Sequence, residues 1–341
     1  MGAGFSAGAG IPLTVELLQL AMKKFSDECP GLFQRVDNYA RECTQYYGED
    51  ELDYSKVDFS HLCTFLEYIE LKEYGGGERW SDEGSKEKLA LRFYLAKTIV
   101  EYTPHINDIP QIYIDFANQI QERDVIISFN WDCLLELALT KVGKTYSYNW
   151  ENNQSVNIRK MHGSVNWCLN EPSHFGQSIN TLDWKSLQFT KGMMDVELYH
   201  TSDLLDYNIW DTYSPLGEVS PFLVLPGYGK AFDVRSNATL WYKPEFAFAS
   251  THDVYIIGLS LAPDDFFIRS LFLSTLPDIA CFTGVEGRKI FIINPDVNAK
   301  SNYDFVLTKG HAELITENFS INHIEIMKER VISISNVYET Q

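Results

Sequence analysis

Three short apolar runs, each closed by small or turn-forming residues, constrain the fold of this chain most. DVIISF (124–129), DVYIIGLS (253–260) and RKIFIINPD (288–296) have strand length and lack the alternation of a strand with one wet face. Such runs fit strands buried on both faces, as in a parallel sheet. FLVLP (222–226) reads the same way. Helical patterns follow several of them, over Asp132–Leu139, near Pro263–Leu276 and after Asp296. Strands alternating with helices predict an α/β fold with a doubly wound parallel sheet, whose ligands bind beyond the carboxyl ends of the strands.

The rest of the chain fits around that frame as a single Rossmann-like domain over 1–341 with insertions. MGAGFSAGAGIP holds five glycines or prolines and feeds a helical pattern from Leu13 to Phe25. Residues 30–120 form a predicted helical insertion, with FSHLCTFLEYIELKEY and SKEKLALRFYLAKTIVEY separated by GGGERWSDEG. The stretch 170–218 shows no period and reads as a loop-rich insertion or lid. At 341 residues the chain buries an ample core without staples. A net charge of −19 repels nucleic-acid backbones and anionic lipid, so neither is an expected partner. The six cysteines include no C-x-x-C pair, and no metal site is expected. No run reaches the length of a membrane span and no signal-peptide order opens the chain, which predicts a reduced, cytoplasmic protein.

Chemistry-capable residues cluster at the strand ends. Gly2, Ala3, Gly4 and Ser6 suit a loop whose backbone approaches a pyrophosphate, although glycine-rich turns before helices also arise without a ligand. Asn130 and Asp132 follow the first buried run, where Asp132 equally suits a helix cap and Asn130 a turn. His162 stands beside Gly163, accessible to act as a general base or simply structural. Gly258 and Ser260 close one strand and Asn294 closes another; they suit close backbone approach, a phosphate and a ribose, or mere strand termination. Lys230 reads as a solvated lysine, while one of Asp264 and Asp265 is expected to shape the site.

In this order the segments resemble the sirtuin family. GAGFSAGAGIP looks like its GAG-x-S-x-x-x-GIP loop, SFNWD like T-Q-N-I-D, the His162–Gly163 pair like its catalytic histidine segment, GLSL like G-T-S-L, and INPD like its ribose-contacting I-N segment. SFNWDCLLE, MHGSVNW, LVLPGYGK and IIGLSLAPDD further resemble bacterial sirtuin-like NAD hydrolases of antiphage defence, including Thoeris-type effectors. The resemblance implies an NAD-binding α/β domain, with Asn130 and His162 as the catalytic pair. It implies cofactor contacts from Gly2, Ala3, Gly4, Ser6, Asp132, Gly258, Ser260 and Asn294.

The expected reaction is cleavage of NAD to nicotinamide and ADP-ribose by an NAD-depleting effector. Such an enzyme is expected to be a homo-oligomer held off until triggered, with a defence-system protein as a further partner. A non-catalytic NAD or ADP-ribose sensor is the alternative, and a protein deacylase a third option. The deacylating members carry four zinc cysteines and an F-G-E segment, whereas this chain has neither, so peptide deacylation is not expected. Phe129 and Trp131 stand where those members have glutamine and isoleucine, which predicts a reshaped nicotinamide pocket. The family's first strand precedes the glycine loop, so the start at Met1-Gly2 predicts a strand lost upstream, with cofactor binding impaired if the chain is complete as given.

Overall fold

A computed structural model describes residues 1–48, 50–76, 85–122, 124–148, 155–169, 220–228, 230, 241, 247–248, 251, 253–263, 265–281, 289–307 and 312–339. The predicted lid at 170–218, Asp264 and most of the GGGERWSDEG segment lie outside the described residues. The protein is a mixed α/β structure in which parallel strands carry helices. Strand β1 (Val125–Ser128) pairs in parallel with β3 (Val156–Lys160), which pairs in parallel with β2 (Tyr146–Ser147). A second parallel sheet runs β6 (Asp253–Ile257), β7 (Lys289–Ile293), β8 (Ala312–Ile315). Antiparallel β4 (Gly163–Leu169) and β5 (Ser220–Leu223) form a third unit. The FLVLP run is thus a correction: it supplies an antiparallel strand, because an apolar run reports burial and not the direction of its partner.

The helix expected after the glycine loop is α1 (Thr14–Glu28), and the stretch 30–120 holds α2 (Pro30–Thr44), α3 (Phe59–Gly76), α4 (Ser85–Tyr102) and α5 (Gln111–Gln119). In α1 the buried residues Leu17, Leu18, Ala21, Met22 and Phe25 fall on one stripe at helical spacing. Pro30 opens α2, where its missing N–H costs nothing, and Gln45 ends it in the left-handed region at φ 54°. Beyond the block come α6 (Leu134–Lys141), α7 (Phe266–Cys281), the short α8 (Ala299–Asn302) and α9 (Asp304–Leu307), and the C-terminal α10 (Ile321–Glu339). Arg330 of α10 grips the Asp253 carboxylate at 2.9 and 2.7 Å, fixing α10 against the start of β6.

Successive strand side chains enter opposite layers of core. Ile126, Ile257 and Ile293 join one cluster with Leu18, Phe116 and Ile324; Val254, Ile256 and Ile292 join another with Leu271, Phe272 and Val306. Each layer is therefore built from strand residues facing helices. Among the described residues, no single helix is long and apolar enough to cross a membrane.

Candidate functional site

The residues singled out in the sequence lie where strands end. Asn130 follows β1, His162 sits in the turn between β3 and β4, Gly258 follows β6 and Asn294 follows β7. Met1 to Ser6 run between β1 and β6. Gly2 N donates to Ile257 O at 3.0 Å and Gly4 N to Gly258 O at 2.9 Å, which joins the two glycine segments directly.

Those contacts explain the glycines, and differently from the sequence reading. A Cβ on Gly2 would stand 2.7 Å from Gly258 O, and one on Gly258 only 2.1 Å from Phe5 N, where Gly258 also has φ +63°. Gly2, Gly4 and Gly258 are needed because one loop backbone lies on the other. The loop then folds into two short 3-10 turns, Ala3–Phe5 and Ala7–Ala9. Phe5, Ser6, Ala9 and Gly10 donate within those turns, whereas the amides of Ala3, Ala7 and Gly8 meet no acceptor among the described residues. Free amides at the start of a helical turn suit an anion. Tyr113 braces the loop from α5, donating its hydroxyl to Phe5 O at 2.8 Å.

Asn130 is buried and donates from Nδ2 to the buried Ser6 Oγ at 3.1 Å, linking the β1 end to the glycine loop. Its Oδ1 is buried without a partner among the described residues, as is His162 Nε2. A buried polar atom left without a partner is uncommon and calls for a water, a ligand or local strain to account for it. The His162 ring packs against Phe129 at 5.3 Å and Trp241 at 6.3 Å between centroids. It also bonds the Phe129 backbone, which with Nε2 unpartnered puts that bond on Nδ1. Burial first, and the Lys230 charge second, hold the imidazole well below its usual pKa, so it is neutral at neutral pH. Gly163 lets the chain leave His162: its φ is +76°, and a Cβ would strike Phe222 O at 2.2 Å.

Two indole N–H groups hold the histidine turn. Trp131 Nε1 donates to His162 O and Trp241 Nε1 to Met161 O, each at 3.1 Å. Trp131 therefore acts on the backbone of the turn. Asp132 is buried, and its Oδ1 accepts the Leu134 N–H at 3.0 Å in a local turn just before α6, whose N-cap is Cys133. Beneath it, Lys160 Nζ donates to Asp132 O and lies 3.4 Å from Glu136, both side chains 1% exposed.

Three other expectations divide. Ala3 and Ser260 are exposed, and the Ser260 carbonyl takes Asn302 Nδ2 at 2.9 Å. Asn294 is buried with Oδ1 already accepting Asp296 N at 3.0 Å, which leaves Nδ2 for a ligand. Lys230 corrects the reading of a solvated lysine: it is buried, and Asp265 takes its ammonium at 2.9 and 3.0 Å. Tyr113, Trp241 and the Lys160–Glu136 pair had no marker in the sequence. No metal-ligating group of three or more such side chains occurs among the described residues. No protein-family model matches the chain, and no curated protein matches it.

Proposed function

We propose that this chain binds NAD at the carboxyl ends of its parallel strands and hydrolyses the nicotinamide–ribose bond. The observation that carries the reading is the pair of unpartnered buried atoms, Asn130 Oδ1 and His162 Nε2, beside a glycine loop with open amides. That combination offers an anion cradle at one end and a polar, water-excluding reaction point at the other. The reading includes the finer architecture, a doubly wound Rossmann-like sheet whose strand order reverses at Met1–Gly2.

In NAD the leaving nicotinamide departs neutral, so the reaction needs no acid; it needs a placed water and a base. His162 meets the second need because its ring is neutral and its Nδ1 is committed to Phe129, leaving the Nε2 lone pair to take a proton. Water oxygen bonds to the ribose C1′ and one water proton passes to Nε2. The C1′–N bond breaks with its electron pair moving to the pyridine nitrogen, and His162 later releases the proton to solvent. Such base catalysis contributes about a hundred- to ten-thousand-fold. Asn130, fixed through Ser6, orients the ribose or the water with its free carbonyl oxygen. The amides of Ala3, Ala7 and Gly8 face the phosphates, and Asn294 Nδ2 the adenosine ribose.

The proposal extends to an NAD-depleting effector of antiphage defence, cytoplasmic and homo-oligomeric, with a defence-system protein as a further partner. Nicotinamide and ADP-ribose should accumulate with the wild-type chain, without acylated peptide, and should fall at least about a hundredfold in Asn130→Ala and His162→Ala. Binding of NAD with no turnover by any of the three would favour a sensor instead.

A further inference from the structure

Away from the strand ends, α1, α2 and the chain that follows α2 border an open cleft of about 740 Å³. One wall is α2; the other is the chain from Tyr46 to Gly48 and from Asp50 to Tyr54. Arg41 holds the two together. Gln45 turns the chain back in the left-handed region, and Arg41 then donates from Nε to the buried Asp37 at 2.7 Å, from Nη1 to Gly48 O at 2.8 Å and from Nη2 to Asp50 O at 3.0 Å. Asp37 in turn accepts the hydroxyl of the buried Tyr54 at 2.5 Å. A satisfied side-chain network thus fixes both walls.

The lining is aromatic and acidic. Phe33 and Tyr54 meet edge to face at 6.4 Å, Tyr46 lies under the Arg41 guanidinium at 5.6 Å, and Tyr47 is 79% exposed. Tyrosine is a residue type that anchors interfaces, and this one sits on a braced loop. Glu42 and Glu51 line the same cleft, both exposed and neither in an ion pair or side-chain hydrogen bond. Arg41 is the one cation in the lining among the described residues, and Asp37 already meets its charge. Two uncompensated carboxylates therefore remain beside the rings. Ring faces attract a cation through their quadrupole and carboxylates through their charge. A guanidinium satisfies both, stacking flat on a tyrosine and bonding a carboxylate through paired N–H groups. Arg41 itself shows the fit, over Tyr46 and against Asp37 at once.

We propose that this cleft binds an arginine side chain presented by a partner protein, its guanidinium over the Tyr47 ring and paired with the Glu42 and Glu51 carboxylates. The volume lies in the range of sites that enclose a drug-sized ligand, which leaves room for the arginine and for the backbone that carries it. The open side of the cleft lets that backbone run past. The same carboxylates, in a chain of net charge −19, turn away an acidic partner. Neither Asn130, His162 nor the glycine loop lines the cleft, so the proposal is independent of the NAD reading.

The test is calorimetric titration of the full chain, at low ionic strength, with a capped glycine-serine peptide carrying one central arginine. Three further probes are the same peptide with citrulline, the same peptide with lysine, and N-acetylarginine amide alone. The arginine peptide should bind at least about tenfold more tightly than the uncharged citrulline peptide, and at least about threefold more tightly than the other two. Tyr47→Ala keeps the net charge and should weaken binding at least about fivefold. Glu42→Gln with Glu51→Gln should weaken it at least about threefold. All three side chains are exposed, so each variant should keep the wild-type Tm. No binding of the arginine peptide, or unchanged binding in Tyr47→Ala, would overturn the site, the latter by reducing it to general attraction toward an acidic chain. Equal binding of the citrulline or lysine peptide would overturn the guanidinium, and equal binding of N-acetylarginine amide would overturn the protein partner.

Discussion

Replacing Lys160 by methionine should destabilise the protein more than its distance from any ligand suggests. Lys160 and Glu136 are each 1% exposed and 3.4 Å apart, and Glu136 also accepts the Tyr148 hydroxyl at 3.0 Å. At that separation and an effective dielectric near 20, the attraction is about 5 kcal/mol. Burial pushes the Lys160 pKa down, yet Glu136 and its neighbours override this and leave it raised, so the ammonium is charged. Lys160→Met strands a buried carboxylate and removes a donor from Asp132 O, a loss of about 3–5 kcal/mol. Glu136→Leu strands the ammonium, with a loss of similar size. The double variant carries no unpaired charge and should recover to within about 2 kcal/mol of wild type, giving a coupling of more than about 3 kcal/mol. Urea unfolding followed by tryptophan fluorescence measures all four stabilities. Single losses below about 1 kcal/mol, or losses that simply add, would refute the argument that a buried charge pair braces the Asn130–Asp132 turn.

Gly258→Ala should abolish NAD binding and lower stability together, since its Cβ would stand 2.1 Å from Phe5 N at φ +63°; calorimetric titration and Tm measure both, and wild-type values for either would contradict the loop packing. Tyr113→Phe should cost about 1 kcal/mol by removing the bond to Phe5 O, and should raise the KM for NAD more than it lowers kcat, because the tyrosine braces the phosphate loop and not the base. His162 gives a pH signature. Burial and then Lys230 depress its folded-state pKa, so below pH 6.5 or so the unfolded chain takes up a proton that the folded chain refuses. Stability from this residue is full above that pH and is lost on acidification by up to about 1.4 kcal/mol per pH unit. His162→Gln should flatten the wild-type slope between pH 6.5 and 5, and an unchanged slope would sink the assignment of a neutral buried imidazole.

The elements legible in the sequence were those whose burial is uniform. β1, β6 and β7 are continuous apolar runs, and the strand-end positions of Asn130, Gly258 and Asn294 followed from them. β3 gave no such mark because VNIRK buries Asn157, Arg159 and Lys160, polar residues that look like a surface loop until the Glu136 carboxylate opposite Lys160 is known. β8 is four residues of mixed exposure, too short to carry a period. Lys230 was misread for a similar reason: its partner Asp265 is 35 residues away, and only folding brings the two to 2.9 Å. The glycine loop was found correctly but for a partly different reason, since motif spacing does not distinguish a backbone that approaches a ligand from one that approaches a neighbouring loop.

The most direct test of the central claim is product analysis of NAD incubated with the purified chain in water enriched in heavy oxygen. Hydrolysis at this site predicts nicotinamide and ADP-ribose in equal amounts, one heavy oxygen at the ribose C1′ hydroxyl, and product formation at least about a hundredfold slower with His162→Ala. Intact NAD with the wild-type chain, or the same products from His162→Ala at the wild-type rate, would contradict it.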